Sequence, residues 1–157
     1  MEASSRLPAD EPILGVVCSD GLRRGDDSGY GVVVTRHRIM GSKKPDSMES
    51  FEAYVASGAA ESTVRAARIF ANGLLATKDF EVSIGSVGQV LFKNPGLFSG
   101  GYAVIKTSNR TIRVETRVSY VDPRIAETMS VLCKTLYAAV GWRLSTGGAE
   151  KAVVKLR

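Results

Sequence analysis

Charged side chains gather first in one glycine-rich stretch. In SDGLRRGDDSG (19–29), Arg23 and Arg24 stand among Asp20, Asp26 and Asp27. Two guanidinium groups on a Gly-flexible loop fork onto phosphate or carboxylate oxygens. The three carboxylates would instead gather a hard cation such as Mg²⁺ or Ca²⁺. With the adjacent Asp26/Asp27 pair as acid and base, they would serve a metal-dependent hydrolase. No Glu closes the stretch at the twelfth position, so it is not an EF-hand loop. The plainer alternative is a solvated turn whose Arg and Asp side chains neutralise one another, since Gly and Asp favour turns on their own account.

A denser basic cluster follows, with Arg36, His37, Arg38, Lys43 and Lys44 falling within nine positions. It reads as a patch for an acidic lipid, a nucleic acid or an acidic protein surface, or as the solvated end of an edge strand, where cations block unwanted pairing. Lys106, Arg110, Arg113 and Arg117 repeat the theme further along. Base stacking on such a surface requires interleaved aromatics, and Tyr102 and Tyr120 are the candidates. Catalytic chemistry finds few carriers. His37 is the sole histidine, and the chain contains no GxSxG, Walker A, HExxH or GxGxxG motif. Cys18 and Cys133 lie far apart in apolar settings, without zinc-ligand spacing. They read as free, buried thiols in a reducing cytosol, a Cys18–Cys133 disulfide being the lesser alternative. The expectation is a protein without catalytic residues, metal or cofactor.

These residues must be positioned by elements legible in the hydropathy pattern. Residues 1–12 are short of large apolar side chains and read as a disordered or loosely attached leader. An apolar β-type run over 12–18 leads into the glycine-rich loop or irregular hairpin at 19–31. GVVVTRHRIMG (31–41) reads as two strands meeting near Arg36–Arg38, or as one long bent strand. A helical insert occupies about 48–78. Within it Phe51, Tyr54 and Val55 read as a short helix before Gly58, and Val64, Ala67, Ala71, Leu74 and Leu75 share one face of a longer helix. Strands return at Phe80–Ile84 and Val87–Phe92. Asn94-Pro95-Gly96 is a turn, and Tyr102–Thr107 with Thr111–Val118 make a hairpin with one core face and one wet face. Last comes a helix with Asp122 as N-cap, Pro123 at its first position and an apolar stripe of Ile125, Met129, Leu132, Cys133, Leu136 and Val140. Gly141 is its expected stop, and 142–157 is a basic tail.

The chain has 157 residues, 44% of them hydrophobic and 24% charged, with a net charge of +5. That is the balance of one globular domain with its own core. No apolar run approaches the roughly 20 residues of a transmembrane helix, and the N-terminal residues lack the pattern of a secretory signal. The expected class is α+β, a curled antiparallel sheet or partial barrel with a helical insert and a C-terminal capping helix.

GYGVVVTRHRIMG (29–41), Phe80–Ile84 with Val87 and Val90, and the Gly100–Val118 hairpin with its following helix resemble the pleckstrin-homology-like (PH-like) superfold, in particular its GRAM and bacterial PH-like branches. The resemblance covers about 13–42 and 79–141. The helical insert departs from that pattern, and the long Lys-x-n-Arg lipid clamp is missing. The resemblance implies one domain over 13–141, a partial barrel plugged at one end by the last helix, and a binding module rather than a catalyst. Anionic ligands would meet the loop between the first two strands. The expected function is a cytoplasmic binding or scaffold domain. Its Arg23, Arg24, Arg36, Arg38, Lys43 and Lys44 would contact an acidic protein surface or an anionic lipid headgroup. Homo-oligomer contacts through apolar surface residues are a further expectation, and non-specific nucleic-acid binding and the Asp20/Asp26/Asp27 metal-dependent hydrolase are the alternatives.

Overall fold

The computed structural model describes residues 7–8, 10–55, 59–145 and 153–156, with 142–145 and 153–156 described by backbone alone. Two apolar triplets organise it. Val16-Val17-Cys18 lies in strand β1 (Ile13–Arg24), and Val32-Val33-Val34 lies in its antiparallel partner β2 (Asp27–Thr35). Successive strand residues point to opposite faces, so these triplets place apolar groups on both sides of the sheet. Both sides are covered. Val17, Val32, Val34 and Ile39 face a core completed by helix α2 (Ile125–Ser145), while Val16, Cys18, Val33 and Met40 face a second core completed by helix α1 (Glu61–Leu74). Double coverage is the reason the early strands read as apolar runs rather than alternations.

The remaining strands are β3 (Arg38–Lys43), β4 (Phe51–Tyr54), β5 (Phe80–Ser83), β6 (Val87–Lys93), β7 (Tyr102–Thr107), β8 (Thr111–Thr116) and β9 (Val153–Leu156). Their order is β5-β3-β2-β1-β8-β7-β6-β9, with β4 pairing on β1 outside this path. All pairs are antiparallel except β6 with β9. The architecture is α+β, with a curled, open sheet as the composition and pattern led one to expect.

β1 is the corner of the molecule. Its first half, Gly15–Cys18, pairs with β4, whereas Leu22 and Arg23 pair with β8. A register irregularity between Ser19 and Arg23 makes the change of partner, held by a hydrogen bond from the Gly21 amide to Ser19 Oγ at 3.0 Å. The glycine-rich 19–31 segment is therefore mostly strand, turned by Gly25-Asp26 with Gly25 at φ 60°. Positive φ at the first central position of a two-residue loop calls for glycine.

Three expectations are corrected. Phe51–Tyr54 is strand, not helix: it fills the free edge of β1, and Phe51 stacks on Phe70 of α1 with ring centroids 4.4 Å apart. The last helix begins at Ile125 instead of Pro123, and it runs through Gly141 to Ser145. Its stripe holds otherwise, with Ile125, Met129, Leu132, Leu136 and Val140 all buried. The tail is divided: residues 142–145 extend α2, 153–156 form a strand on β6, and 146–152 lie outside the described residues. At the other terminus residues 1–6 and 9 lie outside them too, while Leu7 and Glu11 are buried.

Gly41 shows how closely β3 meets β5. It pairs with Phe80, and a Cβ there would run into the Phe80 ring and stand 2.8 Å from Tyr30 Cε2. The two rings stack 6.3 Å apart across it. Gly41→Ala is expected to cost about 1–3 kcal/mol through overpacking, read as a lower urea midpoint. Gly85→Ala, where the nearest atom is Ser83 Oγ at 3.6 Å, should leave the midpoint within roughly 0.5 kcal/mol of the parent.

Candidate basic groove

The six basic residues singled out in the sequence do not form one patch. Arg36 and Arg38 stand at the β2–β3 turn, whereas Arg23, Arg24, Lys43 and Lys44 stand at the opposite end of the same strands, about 25 Å away along β2. The reading of Arg36, His37, Arg38, Lys43 and Lys44 as one patch is thus corrected by the strand register, which sets the two ends of the cluster at opposite ends of the β2–β3 pair.

Three of the six are committed to holding the fold. Arg24 Nη1 donates to Asp79 Oδ2 at 2.7 Å, and its guanidinium lies 5.4 Å from the centroid of the Phe80 ring. The Tyr30 hydroxyl donates to the same carboxylate oxygen at 2.7 Å. This Tyr30 bond, ahead of the opposing effect of burial and helped by Arg24, holds the Asp79 carboxyl below its ordinary range. Burial and the Asp79 carboxylate together push the Tyr30 hydroxyl upward. Lys44 is nearly buried, with Nζ donating to Met48 O at 2.6 Å and pairing with Asp20 at 3.1 Å.

Arg38 grips Glu11 with two bonds, Nε to Oε2 at 2.9 Å and Nη2 to Oε1 at 2.7 Å, and reaches Glu81 at 3.2 Å. Glu81 also takes a bond from Lys78 at 2.7 Å. Burial opposes ionisation of Glu11, but the bonds from Arg38 and Thr35 overcome it and hold the carboxyl below its usual value. Arg68 adds bonds to the carbonyls of Pro8 and Glu11, so the N-terminal segment is strapped across α1 and the β2–β3 hairpin.

Arg36 and Lys43 stay apart at the surface, and a different set of basic side chains gathers around Arg23. Register places Lys93 of β6 opposite Tyr102 of β7, Tyr102 opposite Glu115 of β8, Glu115 opposite Arg23 of β1, and Arg23 opposite Ser28 of β2. These five residues form one transverse row on the outer face, one per strand, with strands about 4.8 Å apart. Arg113, two positions along β8, lies over the Tyr102 ring 4.3 Å from its centroid. Its Nε donates to Glu115 at 3.3 Å, and Arg23 approaches the same carboxylate at 3.8 Å. Arg117, Val118, Val121, Gly100 and Gly101 complete the walls of an open groove of about 700 Å³.

Gly101 belongs there for steric reasons. A Cβ on it would strike Lys93 O and stand 2.7 Å from the Pro95 nitrogen. Its amide donates to the buried Thr116 Oγ1 at 2.7 Å, and its carbonyl accepts from Thr116 N at 2.9 Å. The groove therefore has a rigid backbone floor. Along its walls four cationic side chains, Arg23, Lys93, Arg113 and Arg117, stand against the single carboxylate of Glu115. Such a surface attracts a multiply charged anion, with guanidinium forks supplying directional bonds.

The sequence pointed to Arg23, to the basic wet face with Arg113 and Arg117, and to Tyr102. It missed Lys93 and Glu115 as groove residues. The signal lay in register: Lys93 ends a strand just before the Asn94-Pro95-Gly96 turn, which places it beside Tyr102.

Metal and thiol chemistry have no assembled site among the described residues. No three His, Cys, Asp or Glu side chains come together to hold a metal ion. Asp20 pairs with Lys44, while Asp26 and Asp27 belong to the hairpin turn. Cys18 and Cys133 are free thiols, and burial pushes Cys18 up to about 12 and raises Cys133 as well, far from thiolate reactivity. A comparison with protein-family models and with curated proteins finds no match to this chain.

Glu11 links this electrostatic frame to pH. A carboxylate held below its ordinary range contributes stability that is present above that range and lost as the pH falls through the lowered value. Glu11→Gln is expected to cost about 1–3 kcal/mol at neutral pH by leaving Arg38 and Thr35 without their acceptor. The difference from the parent protein should shrink as the pH falls below about 4, measured by urea unfolding at a series of pH values.

Proposed function

We propose that the chain is a non-catalytic PH/GRAM-like binding module that contacts an anionic partner through the groove between β1 and β6–β8. The observation that carries this reading is the transverse row with its four cations around one carboxylate, set on a rigid floor. Support for the PH-like part comes from topology. The meander β1-β2-β3-β5 and the meander β6-β7-β8 meet at β1–β8, and α2 closes the inner face with Ile125, Met129, Leu132 and Leu136. The β4–α1 insert covers the outer face without interrupting that order.

Arg23 retains its expected role in this reading, at 55% side-chain exposure. Arg24, Arg38 and Lys44 act as internal ties. A cytoplasmic setting accords with the two unpaired thiols, and no described helix is long and apolar enough to cross a membrane. Non-specific nucleic-acid binding has less support. Tyr102 is the one aromatic lining the groove, and Arg113 covers the ring face on which a base would stack.

Soluble anions test the proposal directly. Poly-L-glutamate and inositol hexakisphosphate should bind the parent protein, and Arg113→Ala/Arg117→Ala should weaken them about tenfold or more with an unchanged melting temperature. Arg36→Ala, at the far end of β2, should bind as the parent does. Equal binding by all three proteins, or no binding by the parent, sinks the proposal.

A further inference from the structure

Beside the groove, two loops carry an apolar cluster that nothing in the fold uses. One loop, residues 94–101, joins β6 to β7, and the other, residues 117–124, joins β8 to α2. Leu97 is 57% exposed, Phe98 79%, Tyr120 69% and Val121 62%. Seven large apolar side chains are exposed among the described residues; four of them are on these two loops, while Tyr54, Ile69 and Tyr137 sit apart on other elements. A gathered patch, unlike a scattered residue, marks an interaction surface.

The loops hold their tips out by design. Ser119 N donates to Gly96 O at 2.9 Å and Tyr120 N to Leu97 O at 3.1 Å, so the two segments are laced together by backbone bonds. Gly96 N closes its own turn on Ser99 O at 2.8 Å. The Phe98 and Tyr120 rings lie 5.8 Å apart. The ordering entropy of the tips is thus already met before any partner arrives.

We propose that this cluster is a wedge that docks the protein on a bilayer containing anionic lipid, with Phe98, Tyr120, Leu97 and Val121 entering the interface and Lys93, Arg113 and Arg117 meeting the headgroups. Charge complementarity selects the occupant. Val121 lines the groove as well as belonging to the patch, so the apolar tips and the cations form one continuous surface. A second copy of this +5 chain would bring the same cations against themselves. The aromatics project from the surface instead of lining a concavity, which suits a yielding apolar layer better than a rigid protein pocket. Phe and Tyr with neighbouring cations are the side chains that settle at the headgroup level. The inference rests on reading the groove as anion-binding, and it places contact on the β6–β7 and β8–α2 loops instead of the β1–β2 loop.

Vesicle co-sedimentation of the full chain decides the matter. The parent protein should sediment with phosphatidylcholine/phosphatidylglycerol vesicles far more than with phosphatidylcholine alone, and less as salt is raised. Phe98→Ala/Tyr120→Ala removes two exposed rings, so folding should be unchanged while partitioning falls at least about tenfold. Arg113→Ala/Arg117→Ala should also lose about tenfold or more. Failure of the parent to sediment with anionic vesicles, or parental partitioning by Phe98→Ala/Tyr120→Ala, overturns the wedge. Poly-L-glutamate separates the two levels. Binding of that polymer through Arg113 and Arg117, without vesicle binding, overturns the wedge and leaves the anion groove standing; binding to neither overturns both.

Discussion

A two-strand section of sheet that is apolar on both faces governs the whole structure. Val16, Val17 and Cys18 beside Val32, Val33 and Val34 leave no face that can be given to water. Burying one such side chain contributes roughly 1.5–3 kcal/mol, so exposing either face would forfeit a large part of a domain's net stability. Two helices are therefore required. α2 closes the inner face, and the β4–α1 insert closes the outer one. The insert is thus the lid of a second core, and the N-terminal Leu7 belongs to the same layer.

Electrostatics follows from that packing. Helices laid over both faces push charged side chains to the rims, where they meet one another. Arg24 with Asp79 and Tyr30, and Arg38 with Glu11 and Glu81, tie strand ends and the N-terminal segment into place. Partly buried pairs of this kind lose much when one partner is removed, because the other charge is left without compensation. A net charge of +5 is consequently a poor guide to the surface a partner meets.

Among the described residues, the outer core under α1 lies over the first half of β1 and over β2 and β3, with β4 extending the sheet at its side, and it does not reach the row that runs from Arg23 of β1 across β8, β7 and β6. The bulge at Ser19–Arg23 makes this division by handing β1 from β4 to β8. Arg23 consequently leaves the hairpin end and joins the row with Glu115, Tyr102 and Lys93. The candidate site is a by-product of where double coverage stops, and the apolar loop tips beside it lie on the same uncovered side.

Residue patterns by themselves determined the α+β class, the β7–β8 hairpin, the face of α1 and the buried stripe of α2, since each is a local periodicity set by contact with a core, whereas they left 31–41 open between the β2–β3 hairpin and one bent strand. They also read both thiols as free and buried, which holds for Cys18, while Cys133 is free but only half-buried. Phe51–Tyr54 was misread as helix because nothing local records the vacant edge of β1 that draws it into a strand. Gly141 was misread as a stop because the roughly 1 kcal/mol that glycine costs inside a helix does not by itself end one. The basic residues were visible, but their roles were not. Whether Arg24 binds a ligand or Asp79, and whether Lys93 shares a row with Arg23, depends on register between strands more than 90 positions apart in the chain. Only the tertiary structure could decide that, because cross-strand register is fixed by packing over the entire sheet and leaves no mark on the neighbouring residues.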